Sequence, residues 1–169
     1  VRVSKALADG RRQIMTFAFP GEYFGLASAK GYNYTAESIT DVKLCRMPRD
    51  DVFKKFTELP SLGRKVLEIT REELQRTQDE KLLLGRKKAK EKLCSFLLSM
   101  SDKSRRLDYI PKDTIYLPMC RSDIADYLGL TIETVSRQLT HIRSEGLVDL
   151  PSRREIIIKD RPAITAMAG

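Results

Sequence analysis

Hydrophobic and polar positions change their period along the chain. Up to about residue 48 they alternate in short runs: Val1-Arg2-Val3, Ile14-Met15-Thr16-Phe17, Thr35-Ala36-Glu37-Ser38-Ile39 and Val42-Lys43-Leu44. Period two marks strands with one buried face. Asp9-Gly10 lies between the first two runs and is a type I′ hairpin signal, because both central residues of that turn need φ > 0. Pro20-Gly21 predicts the next turn. Short strands at this spacing predict a jelly-roll type barrel. They are few for a closed barrel, and the chain opens in alternation without a Met, so further strands are expected upstream.

The period then becomes helical. Asp50-Asp51 opens a short helix over 50–58, and Pro60-Ser61 starts a long one running to Leu84, with Gly85 as its C-cap or a kink. Leu67, Thr70, Leu74, Thr77, Lys81 and Leu84 recur at spacings of three and four. That stripe fits an imperfect two-helix dimer seam, or packing against the helix's own domain. Beyond it, Ala89, Leu93, Phe96, Leu97 and Met100 form one apolar face, and Arg86, Lys87, Lys88, Lys90 and Lys92 crowd the other.

Charge and composition narrow the function classes. The chain has 169 residues, 41% of them apolar, which is enough for a packed core. No apolar run approaches the roughly 18 residues of a membrane helix, so no membrane is expected as a partner. Three cysteines, Cys45, Cys94 and Cys120, have neither metal-site spacing nor an even count, which suits a reducing cytosol. The net charge is +8, and residues 86–169 carry +5 of it. The C-terminal half is therefore the better polyanion surface, although such a charge also serves solubility alone. The single histidine, His141, has no carboxylate pair, phosphate loop or nucleophile motif beside it, so no enzyme is expected.

The informative stretch runs from Cys120 to Leu139. Ile124, Ala125 and Leu128 give a first helix its inner face, Gly129 sits where a tight turn needs a residue without Cβ, and Thr131 can cap a second helix. Ile132, Val135 and Leu139 are expected to face inward on that helix. This is a helix-turn-helix pattern, whose second helix enters the major groove. Glu133, Ser136 and Arg137 share its outward face. Arg suits guanine O6/N7, Glu accepts from cytosine N4, and Ser does either. An exposed Glu133–Arg137 ion pair is the plainer alternative. Downstream, Glu145–Leu150, a Pro151-Ser152-Arg153-Arg154 tip and Glu155–Ile158 read as the wing of a winged helix, with Arg153 and Arg154 placed for phosphates.

These motifs resemble the Crp/Fnr superfamily of bacterial transcription regulators, in particular its FixK/FnrN branch. The resemblance rests on Ile132-Glu133-Thr134-Val135-Ser136-Arg137, on the Leu117–Ile124 lead-in, on Phe19-Pro20-Gly21-Glu22-Tyr23-Phe24-Gly25 and on Lys81-Leu82-Leu83-Leu84. It implies an α+β architecture: a partial cupin-like jelly-roll barrel over 1–58, a dimerisation helix over 59–85 with Leu67, Leu74, Lys81 and Leu84 in its seam, and a winged helix-turn-helix over 86–169. It also implies a homodimer on double-stranded DNA, at a palindrome related to TTGAT-N4-ATCAA, with RNA polymerase as a further partner and an oxygen- or redox-linked signal. Glu133, Ser136 and Arg137 would be the base readers. Arg121, Thr131 and Thr134 would join the wing arginines on phosphates.

Two departures matter. The phosphate cassette of cyclic-nucleotide-binding members lacks its Glu and Arg here, where the chain reads Phe24-Gly25-Leu26-Ala27-Ser28-Ala29-Lys30 and Tyr34-Thr35-Ala36, so a cyclic nucleotide has no anchor. Cys45 resembles the fourth ligand of an Fnr-type iron–sulfur cluster, but the other three could come only from residues upstream. No cofactor is therefore expected on this chain itself. Cys120, at a helix start beside Arg121, is a redox candidate. The competing class is a dimeric ligand sensor that does not bind specific DNA.

Overall fold

A computed structural model describes residues 1–25 and 31–169. Strands β1 (Arg2–Ala6) and β2 (Arg12–Phe17) form an antiparallel hairpin, and β3 (Thr35–Glu37) adds to the other edge of β1. The hairpin loop differs from the expected type I′ turn. Among the described residues only glycines take positive φ, so Asp9 does not. Gly10 at φ +83° follows a turn closed by its N–H on the Leu7 carbonyl, the geometry of a three-residue loop with a single left-handed position. The Pro20-Gly21 turn forms as expected, with the Glu22 N–H on the Phe19 carbonyl. Val42–Leu44 forms no strand: Val42 and Leu44 are exposed, and no described strand lies alongside to complete a ladder.

Helix α1 (Arg49–Glu58) is followed by the long α2 (Pro60–Arg86). Gly85 neither caps nor ends α2, because the helix runs through it and leaves at Lys87 in extended backbone. A helical glycine costs about 1 kcal/mol against alanine, which 27 residues of helix absorb. Leu67, Leu74 and Lys81 are exposed along α2, Leu84 partly so, and Leu83 turns inward.

The third unit is built on α3 (Ala89–Ser104). Leu93, Phe96, Leu97 and Met100 are each no more than 2% exposed and form the core's centre, as their spacing predicts. Lys92 departs from the expected basic outer face. It is buried, and its Nζ donates to the Leu128 carbonyl at 3.1 Å. Strand β4 (Thr114–Tyr116), helices α4 (Arg121–Leu128) and α5 (Ile132–Ser144), strands β5 (Val148–Asp149) and β6 (Glu155–Ile158), and α6 (Arg161–Ala168) complete it. The sheet order is β4-β6-β5, antiparallel throughout, with the β5–β6 turn projecting as a wing.

Candidate nucleic-acid interface

Three surfaces of the third unit carry the residues expected to meet DNA. The first is the start of α4. Cys120 occupies the N-cap in extended backbone, and the Asp123 carboxylate accepts from its N–H at 3.3 Å. Cys120 is exposed, with Sγ 2.9 Å from the Ser122 hydroxyl. Arg121 follows, half-buried, and its Nη1 is buried without any hydrogen-bond partner. Burial pulls the Arg121 pKa down. A guanidinium in that state favours an anion that completes its hydrogen bonds.

The second surface is the turn and α5. Gly129 takes φ +61°, where a side chain would be strained, and the Leu130 N–H closes on the Ala125 carbonyl at 3.0 Å. Thr131 caps α5, its hydroxyl accepting from the Thr134 N–H at 3.2 Å, and the two threonine hydroxyls lie 3.0 Å apart. Val135, Leu139 and Ile142 are buried beneath the helix. Ile132 does not face inward as its spacing suggested: at 46% exposed, in the first turn, it stands beside the outward residues. Ile142 takes the third inner place instead.

Glu133, Ser136 and Arg137 are all exposed on one face of α5. Arg137 makes one long contact, Nη2 to the Thr134 hydroxyl at 3.5 Å, and forms no ion pair with Glu133 among the described residues. The Glu133 carboxyl is held below its usual range, first by its own backbone N–H and then by Thr131. It therefore stays a ready acceptor. The His141 side chain is exposed on the last turn of α5, 3.6 Å from Glu145.

The third surface is the wing tip, Pro151–Arg154, exposed throughout. The Ser152 hydroxyl accepts from the Arg154 N–H at 3.2 Å, and the Arg154 carbonyl accepts from the Leu117 N–H at 2.7 Å. That last bond ties the tip to the lead-in of α4. Neither Arg153 nor Arg154 forms an ion pair among the described residues. Arginines without carboxylate partners at a helix start, a helix face and a wing tip are suited to phosphate and base edges.

Sequence reasoning did not find the residues that join this unit to the rest. Arg2 and Arg12, from opposite ends of the hairpin ladder, both reach Asp123 Oδ1 at 2.8 Å, and Arg12 also holds Asp126 at 2.7 Å. Phe17 packs between Phe96 and Tyr127, with ring centroids 6.3 and 5.6 Å away. Lys103 donates to the Phe17 carbonyl at 2.6 Å and pairs with Glu22 at 2.7 Å. Arg2 stands only as the polar position of an alternating run, and Arg12 lies outside the runs that the pattern marks.

Comparison with known proteins gives this geometry a lineage. Residues 1–58 match the cyclic nucleotide-binding domain, and residues 91–167 match the Crp-like helix-turn-helix domain. The chain is 42% identical over 164 residues to the nitrogen fixation regulation protein FixK of Azorhizobium caulinodans, covering 97% of this chain and 66% of that protein. It is 32% identical to the transcriptional activator protein FnrL of Cereibacter sphaeroides, covering 99% and 68%. This chain belongs to the Crp/Fnr family of transcription regulators. Among solved structures, FixK2 from Bradyrhizobium japonicum superposes with a TM-score of 0.86 at 39% identity, covering 99% of this chain and 82% of that one. The chain spans 61–66% of three of its curated relatives, the FixK proteins of Azorhizobium caulinodans and Bradyrhizobium diazoefficiens and AadR of Rhodopseudomonas palustris.

Residues 26–30 of the expected phosphate cassette lie outside the described residues. Cys45 is exposed, Cys94 is buried in α3, and Cys120 lies at α4. Among the described residues no three His, Cys, Asp or Glu side chains gather as a metal cage. An iron–sulfur cluster takes about four thiolates, so Cys45 alone does not hold one.

Proposed function

We propose that this chain is the dimerising and DNA-reading part of a transcription activator. It binds double-stranded DNA as a homodimer, at a palindrome related to TTGAT-N4-ATCAA. The observation that carries the reading is the α5 face: Glu133, Ser136 and Arg137 exposed together, with the arginine uncommitted. Arg137 would read guanine, Glu133 cytosine and Ser136 an adjacent edge. Arg121, Thr131, Thr134, Arg153 and Arg154 would take phosphates, which give affinity and register without sequence information. The exposed leucines of α2, Leu67 at 60% and Leu74 at 61%, are the contact offered to a second copy, with Lys81 and Leu84 continuing the seam. RNA polymerase is the further protein partner, and the cytoplasm, where the DNA is, the location.

The signal is oxygen- or redox-linked in this reading. Among the described residues no metal cage gathers, and Cys120 is the redox candidate at the interface. Sulfinic acid there would set a negative charge beside phosphates, and a mixed disulfide would block approach. A mobility-shift titration at physiological salt tests the central claim. The palindrome should shift at least about 10³-fold more tightly than random DNA of equal length. Equal affinities would refute the reading and leave a dimeric ligand sensor.

A further inference from the structure

Between the dimer helix and the DNA-reading unit the covalent link is short. Helix α2 ends at Arg86, α3 begins at Ala89, and Lys87 and Lys88 between them are extended, at ψ 143° and 162°. Two extended residues set the length of the link, and Lys87 anchors it through Nζ on the Ser95 hydroxyl and the Ala168 carbonyl. Further contacts share in setting where α5 points relative to the α2 axis.

Lys103 and Phe96 on α3 hold the hairpin and Leu83 of α2 packs in the shared core, but most of the polar connections fall on α4. From α2, the Glu80 carboxylate accepts from the Tyr127 hydroxyl at 3.0 Å. From β2, Gln13 Nε2 donates to the Tyr127 carbonyl at 3.1 Å. Arg12 grips Asp126 through Nε at 3.0 Å and Nη2 at 2.7 Å, and Asp123 through Nη2 at 2.8 Å. Arg2 adds Nη1 on Asp123, and its Nε holds Glu37 on β3. The Asp123 side chain is only 3% exposed, and its second oxygen caps α4 through Cys120. Guanidinium–carboxylate bonds fix direction as well as distance, and here the arginines are half-buried around a buried Asp123. The hairpin thus braces α4 against both the sheet and the dimer helix.

We infer that Arg12, with Arg2, is a positioning residue that sets which half-site spacing the dimer accepts. The inference rests on the proposed DNA-binding function and adds to it a determinant outside the DNA-facing surface. One inserted base pair moves a half-site by about 3.4 Å and turns it by about 35°. A fully braced pair of recognition helices resists that movement, whereas a pair that has lost the Arg12 contacts follows it more readily. Arg12 touches no surface assigned to DNA, so each helix should read its own half-site equally well with or without the brace.

The experiment compares the parent, Arg12→Ala, Asp126→Ala and the double variant, all at one salt concentration. Affinity is measured for palindromes with three, four or five central base pairs and for a single half-site duplex. The parent should prefer one spacing by more than about tenfold. Arg12→Ala should compress that preference to less than about threefold with half-site affinity unchanged, and adding Asp126→Ala should cause little further change, because the two side chains act as a pair. If Arg12→Ala does not fold, Arg12→Lys, which keeps the charge but loses the fork, is read in the same way. A parental spacing profile in the substituted protein overturns the inference while leaving the DNA-binding reading intact. A parent that prefers no palindrome over random DNA refutes both.

Discussion

Replacing Arg137 by alanine separates base reading from every plainer role of that side chain. In the free protein Arg137 is exposed and its one contact is 3.5 Å long, so its removal should change folding stability by no more than about 0.5 kcal/mol. A bidentate arginine–guanine contact is worth about 1–3 kcal/mol of discrimination. A symmetric dimer carries the side chain twice, so the palindrome should lose about 2–6 kcal/mol, roughly thirtyfold to twenty-thousandfold in affinity. Fluorescence anisotropy on the palindrome and on random DNA, each at several salt concentrations, gives the answer. Specific affinity should fall while random-DNA affinity and the salt slope stay near the parent's. Equal losses on both DNAs, with a salt slope shallower by about one per half-site, would place Arg137 on a phosphate and refute the base-reading argument.

Three further outcomes follow from other parts of the molecule. Lys81→Leu removes a cation from the expected α2 seam and should tighten the dimer; sedimentation showing unchanged dimer affinity would place the seam elsewhere. Burial raises the Glu80 carboxyl pKa above its ordinary value, while Tyr127 and the nearby Lys103 and Arg76 oppose the rise and Glu73 adds to it. The folded-state pKa lies above the unfolded one, so the stability this group contributes is full at low pH and lost as pH rises through the folded value. Glu80→Gln keeps an acceptor for Tyr127 and should raise Tm at pH 7, with the gain vanishing towards pH 4; a lower Tm at pH 7 would contradict this. Peroxide should abolish DNA binding by the parent but not by Cys120→Ser, and equal loss in both would clear Cys120.

What the sequence made legible was local. Gly129 and Thr131 announce the turn of the helix-turn-helix because a left-handed residue and a cap are satisfied within a few positions. The same applies to the inner face of α3. Hydrophobic spacing was less reliable at ends: Ile132 has the inner period but lies in the first turn of α5, ahead of the packed segment. Lys92 reads as a solvated charge until Leu128 brings it a carbonyl. The brace was not legible at all. Arg12 and Asp126 are 114 residues apart, and nothing in either neighbourhood specifies the other. By position Asp123 is a first-turn acid, favourable to its own helix. Its burial under two arginines depends on how the hairpin docks, which period and propensity do not encode.

Lys92 also determines how small a working piece of this protein can be. Its ammonium answers the carbonyl of Leu128, the last residue of α4, from a neighbouring helix. Ile124, Leu128, Val135, Leu139 and Ile142 share one core with Leu93, Phe96, Leu97 and Met100. Cut away from α3, the two recognition helices would present that apolar face to water, and the end of α4 would lose its cation. The helix-turn-helix is therefore not a transplantable cassette here. A grafted or minimised reader of this DNA face would have to carry α3 with it, beginning no later than Ala89, and would inherit the lysine as part of the fold rather than as surface charge.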